Sequence, residues 1–110
     1  MANITGNDLV GESLKRIGVK DMFFIMGGPI NDTLLAAIKR GVRPIDVRHE
    51  QAAAFAAQAY ARAKNFPGVC LGASGPGAIN LTTGLANLRF DQPKPYQETE
   101  LIRKLIAATI

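Results

Sequence analysis

Met22-Phe23-Phe24-Ile25-Met26 is an uninterrupted apolar run that ends in Gly27-Gly28-Pro29. Five residues are a strand's length, and a run without polar alternation is what a strand covered on both faces requires. The glycine-proline turn stops it. Upstream, Thr5 and Asp8 have capping-box spacing, Leu9, Val10, Leu14 and Ile17 form a helical stripe, and Gly18 offers the left-handed conformation that closes a helix. Downstream, Asn31 or Asp32 is placed to cap a second helix carrying Leu34, Leu35 and Ile38. Gly41 stops that helix before a second short strand, Ile45-Asp46-Val47-Arg48.

From His49 to Lys64, eight of sixteen residues are alanine, the residue with the lowest intrinsic cost of entering a helix. Phe66-Pro67-Gly68 breaks this third helix, Val69-Cys70-Leu71 begins a third strand, and Ser74-Gly75-Pro76-Gly77 leads into a fourth helix over Ala78 to Asn87. Apolar strands alternating with helices predict an α/β fold, a parallel sheet with helices on both faces.

All eleven glycines lie at or before Gly84, so composition changes near the end of the fourth helix. The reading divides the chain at 87. Residues 1–87 form the α/β domain, and 88–110 form a divergent linker plus a C-terminal amphipathic helix. Phe90-Asp91-Gln92-Pro93-Lys94-Pro95 reads as extended, and Leu101, Ile102, Leu105 and Ile106 give a helical stripe over Glu98 to Ala108.

With 110 residues, 47% hydrophobic and 20% charged, the chain has the make-up of one small globular domain. No apolar stretch approaches the ~20 residues of a membrane span. The N-terminus has no basic segment followed by an apolar one, and Asp8 and Glu12 argue against a transit peptide, so a cytoplasmic location is expected. Thirteen Lys and Arg give a net charge of +4, but they are scattered and no aromatic residues interleave with them, which argues against nucleic acid as a partner. A single cysteine, Cys70, excludes an intrachain disulfide, and one histidine leaves too few ligands for an ordinary zinc site.

In a parallel sheet the segments after the strands emerge at one edge, where open α/β sheets place their ligands. Three loops converge there: Gly27-Gly28-Pro29, Arg48-His49-Glu50 and Ser74-Gly75-Pro76-Gly77. The outer two allow close backbone approach, and the middle one supplies an acid, Glu50. A phosphate cradle fits poorly, because Gly75-Pro76-Gly77-Ala78-Ile79-Asn80 lacks the third glycine of the dinucleotide fingerprint and any Gly-Lys-Ser/Thr ending. His49 and Glu50 lack an evident third metal ligand. Cys70, inside an apolar strand, reads as a buried, inert thiol.

Taken together, these residues carry a resemblance. Arg48-His49-Glu50-Gln51-Ala52-Ala53, Tyr60-Ala61-Arg62, Pro67-Gly68-Val69-Cys70, Ser74-Gly75-Pro76-Gly77-Ala78-Ile79-Asn80 and Gly84-Leu85-Ala86-Asn87 follow one another in a characteristic order and spacing. From about Thr5 to Asn87 the chain resembles the N-terminal pyrimidine-binding domain of thiamine diphosphate-dependent enzymes, the acetolactate synthase, 2-hydroxyacyl-CoA lyase and oxalyl-CoA decarboxylase group. The resemblance implies that Glu50 is catalytic, sharing a proton with the aminopyrimidine ring nitrogen of thiamine diphosphate. It also implies that Gly28, Pro29, Pro76, Gly77 and Asn80 line the ring with Glu50. The resemblance leaves His49 to orient Glu50, bond the backbone or move a proton, and implies that Gln51 with the alanines after it packs on a partner subunit.

The first loop departs from the family's Gly-x-Pro-Gly, reading Gly27-Gly28-Pro29-Ile30, and no Gly-Asp-Gly magnesium motif occurs. The expectation is therefore a truncated module without a metal site of its own. Magnesium and the diphosphate grip would come from a missing diphosphate-binding domain or chain. The partners implied are a homodimer or that second domain, and a 2-oxo acid or acyl-CoA substrate. The chain alone is not expected to turn over substrate, and the alternative is a non-catalytic dimerising or remnant α/β protein.

Overall fold

The computed structural model describes residues 3–90 and 105–109. The order is α1 (Gly6–Ile17), β1 (Asp21–Phe24), a 3-10 turn (Gly28–Ile30), α2 (Asn31–Ile38), β2 (Arg43–Asp46), α3 (Glu50–Lys64), β3 (Gly68–Gly72), α4 (Pro76–Phe90) and β4 (Leu105–Thr109). The strands form one sheet in the order β2-β1-β3-β4, every neighbouring pair parallel. This is the expected α/β architecture.

Side chains leave successive strand positions on opposite faces, and the core divides accordingly. Met22, Phe24, Val69 and Leu71 pack with Leu14 of α1 and Leu34 and Ala37 of α2. Phe23 and Cys70 point the other way, onto Ala53, Ala54 and Ala57 of α3 and Leu81 of α4. The apolar β1 run thus serves two cores.

Local signals explain most boundaries. The Thr5 hydroxyl accepts from the Asp8 N–H, and the Asp8 carboxylate accepts from the Thr5 N–H at 3.2 Å. Such caps contribute about 1 kcal/mol. Gly18 closes α1 in the left-handed region at φ 91°. On the edge strand β2, Arg43 and Val47 donate to the carbonyls of Lys20 and Phe24. Pro44, out of phase with them, turns its missing N–H to the open edge, where a strand tolerates proline.

Two expectations are corrected. Neither Asn31 nor Asp32 caps α2 with its side chain, because the 3-10 turn runs straight into the helix and Ile30 occupies the cap. Of the helix expected to pack on a partner subunit, Ala53, Ala54 and Ala57 are buried within the chain and Gln51 donates to the Thr83 hydroxyl of α4 at 2.9 Å, while Ala52 and Ala59 are exposed. The amphipathic helix expected over 98–108 is overturned where the structure describes it. Residues 98–104 lie outside the described residues, but Leu105–Thr109 is a strand in parallel register with β3. A short apolar run fits helical and strand spacing equally, and the unpaired backbone groups along the outer edge of β3 decide for the strand.

Candidate functional site

The chain moves from β1 to β2 on one side, then returns over β1 to β3 on the other. The switch point between β1 and β3 at the carboxyl edge is where open α/β sheets place their ligand crevice. The α3 helix begins at that edge, because its N-cap His49 follows β2 closely. The His49 ring Nδ1 accepts from the Gln51 N–H at 3.1 Å, so the imidazole caps the helix. Of the three roles open to His49, the structure gives it the backbone bond.

Glu50, the first residue of α3, reaches α4. The Asn80 side-chain amide donates to Glu50 Oε2 at 3.0 Å, across thirty residues of sequence. The other carboxylate oxygen lies over Gly77: a Cβ built there would sit 3.0 Å from Glu50 Oε1. Gly77 and Asn80 are three residues apart, hence on one face of α4. Gly72 of β3 lies under that face: a Cβ built there would sit 3.1 Å from Leu81 Cδ1, a tight contact that glycine avoids.

The Glu50 carboxyl is held below its ordinary 4.5, first by the Asn80 amide and then by its own backbone N–H, with burial opposing them and His49 adding a weaker lowering. Hydrogen bonds to the charged form outweigh desolvation. The carboxylate is therefore ionised at neutral pH. Arg48 plays no part in this, for it is exposed and faces Asp46 at 3.5 Å.

The glycine loops join the same crevice unequally. A Cβ at Gly27 would lie 2.9 Å from Ala73 Cβ, and one at Gly77 would lie 3.7 Å from the same atom. Gly27, Ala73, Gly77 and Glu50 thus form one continuous line of contact from the first loop to the acid. Gly28 and Pro29, next in sequence, are exposed, and a Cβ at Gly28 would meet open space. Pro76 is exposed at the first position of α4, after Gly75 at φ 76°, where a missing N–H costs nothing. Glu50, Gly77 and Asn80 are brought together, Pro76 stands beside them in the chain, and Gly28 and Pro29 adjoin through Gly27. Sequence reasoning missed Ala73, the hinge of that line, whose small size directly after β3 is the signal.

Cys70 is buried, and burial pushes its thiol up to about 11. It is inert, as its place in an apolar strand implies. Among the described residues no group of three His, Cys, Asp or Glu gathers to hold a metal, and no helix is long and apolar enough to cross a membrane.

Residues 4–93 match the model of the N-terminal TPP binding domain of thiamine pyrophosphate enzymes. The chain belongs to this family. The family match runs past Asn87, the boundary read from composition, into the segment beyond it. Acetolactate synthase 2, chloroplastic, of Nicotiana tabacum is 46% identical over 87 residues, 78% of this chain and 13% of that protein. The acetolactate synthase large subunit of Parasynechococcus marenigrum (strain WH8102) is 49% identical over 118 residues, 89% of this chain and 19% of its own length. Since 89% of 110 residues is about 98, about 20 of those 118 aligned positions have no counterpart here. The acetolactate synthase of Arthrospira platensis is 47% identical over 92 residues, 80% of this chain and 16% of that protein. This thiamine pyrophosphate-enzyme domain spans less than a fifth of the length of these relatives.

Proposed function

We propose that this chain forms the aminopyrimidine half of a thiamine diphosphate site in an acetolactate synthase-like carboligase or lyase. The observation that carries the reading is the Glu50 carboxylate, ionised, held by an amide and set over Gly77 at the crevice between the first and third loops. The residues fit the ring end of the cofactor. A carboxylate paired with an amide keeps its charge for a protonated ring nitrogen, and open space at Gly28 and Gly75 admits a flat heterocycle.

The cofactor, when bound, supplies the nucleophilic carbon that makes or breaks the substrate's carbon–carbon bond. Glu50 holds or releases the proton it shares with the ring nitrogen, and Gly28, Pro29, Pro76, Gly77 and Asn80 wall the ring. The relatives' greater length supports assigning the magnesium and diphosphate contacts to another domain or chain, in a homodimer or a hetero-assembly. A 2-oxo acid or an acyl-CoA is the substrate class in this reading, and the compartment is the cytoplasm.

The test supplies the full chain with the remaining portion of an acetolactate synthase relative and follows thiamine diphosphate binding and carboligation of a 2-oxo acid. Both are expected to require this chain. Glu50→Gln is expected to leave assembly intact and slow turnover by roughly 10²-fold or more, the scale of lost acid–base assistance. Unchanged turnover in Glu50→Gln would remove Glu50 from the chemistry and overturn the reading of this site, and self-association with no cofactor binding in any combination would replace the proposal with a non-catalytic dimerising protein.

A further inference from the structure

Among the acids on α1, Asp8 and Glu12 both meet the guanidinium of Arg40. Glu50 is different, for the side chain that reaches it is a neutral amide from another helix. A guanidinium would orient a carboxylate and cancel its charge, whereas an amide orients it and leaves the charge in place. The orientation is two-sided. Oε2 takes the Asn80 N–H, and Oε1 lies against Gly77, where any side chain would push it away. Both positions belong to one face of α4, and that face is locked against β3 by buried Leu81 over Gly72.

We propose that Asn80 is a positioning residue for Glu50, fixing one carboxylate oxygen before any ligand arrives so that the other is presented over Gly77. This rests on the functional reading above but shifts Asn80 from lining the ring to holding the acid. The competing role is a plain tie between α3 and α4, of the kind Gln51 and Thr83 already make at 2.9 Å. The two roles separate by what happens to Glu50. His49, next to it on α3, is the titratable neighbour that acts on the same carboxyl.

The experiment is a ligand-free pH titration of the full chain, following the Glu50 carboxyl carbon and the Asn80 side-chain amide by NMR. In the unaltered protein the amide resonances are expected to move with the Glu50 midpoint. Asn80→Leu, close in size but without a donor, is expected to raise that midpoint by roughly half a pH unit or more. Gln51→Leu, which cuts the other tie, is expected to leave it in place. Should Asn80→Leu fail to fold by circular dichroism, Asn80→Asp decides instead: a second carboxylate beside Glu50 must raise its midpoint. A Glu50 midpoint unmoved in the folded Asn80 variant, or an Asn80 amide blind to Glu50 protonation, overturns the proposal. Adding an aminopyrimidine to the same sample tests the cofactor reading separately, by whether the Glu50 resonance responds.

Discussion

The two helical faces of the sheet are built with the same packing device and a different balance of polar chemistry. On one face, α1 approaches α2 so closely that a Cβ at Gly11 would lie 2.7 Å from the Ala36 carbonyl oxygen. On the other, a Cβ at Gly84 of α4 would lie 2.3 Å from Ala54 Cβ of α3. Around the first contact ions predominate: Arg40 meets Asp8 and Glu12, each at 3.3 Å, and Glu12 also meets Arg16 at 3.1 Å, beside one neutral pair in which the buried Thr33 hydroxyl donates to Asn7 Oδ1. Around the second they are neutral partners, Gln51 with Thr83, Asn87 with Gln58, and Asn80 with the charge of Glu50. The difference teaches which acid is free for chemistry. The α1 carboxylates Asp8 and Glu12 are paired with guanidinium, while the partner that reaches Glu50 at the sheet edge is a neutral amide.

The largest effect should come from the device both faces share. Gly11→Ala and Gly84→Ala are each expected to destabilise by about 1–3 kcal/mol, even after the ~1 kcal/mol that alanine gains over glycine inside a helix, because the helices must separate. Urea denaturation measures this, and a neutral result at either site would break the likeness between the faces. A smaller effect should set them apart. Arg40→Ala is expected to destabilise at low salt, with much of the difference gone at about 1 M salt, where screening acts within ~3 Å, while Gln51→Ala should respond little to salt.

The same lattice carries an acid signature. Asp8 is held below its ordinary 3.8 chiefly by its bonds with Thr5, and Glu12 below 4.5 chiefly by Arg16. Folded values below unfolded ones mean that the stabilisation is present above those ordinary values and is lost as pH falls through the lower folded ones. Arg16→Ala, which removes the chief cause at Glu12, should therefore flatten the acid limb of a stability–pH profile more than Arg40→Ala does. The smallest effect expected is that of Glu50→Gln on stability, within about 0.5 kcal/mol, since a neutral amide still fills the place beside Asn80. A large loss there would make Glu50 a tie between helices and remove the contrast.

By itself the sequence determined the alternating helices and strands, because apolar runs, alanine content, the Thr5 cap and the Gly18 stop are local statements about backbone cost and burial. It also marked Glu50 and its glycine-rich neighbours, since chain order places them at the ends of three successive strands. Only the tertiary structure decided the partners. That Asn80 reaches Glu50 across thirty residues, that Gln51 turns to its own α4, and that Ala73 joins two loops depend on how closely α3 and α4 approach. Leu105–Thr109 shows the same limit from the other side, for its residues permit helix or strand equally and the open edge of β3 makes the choice. Local free energies are written in neighbouring residues, but a hydrogen-bond partner is a property of the space that distant residues come to share.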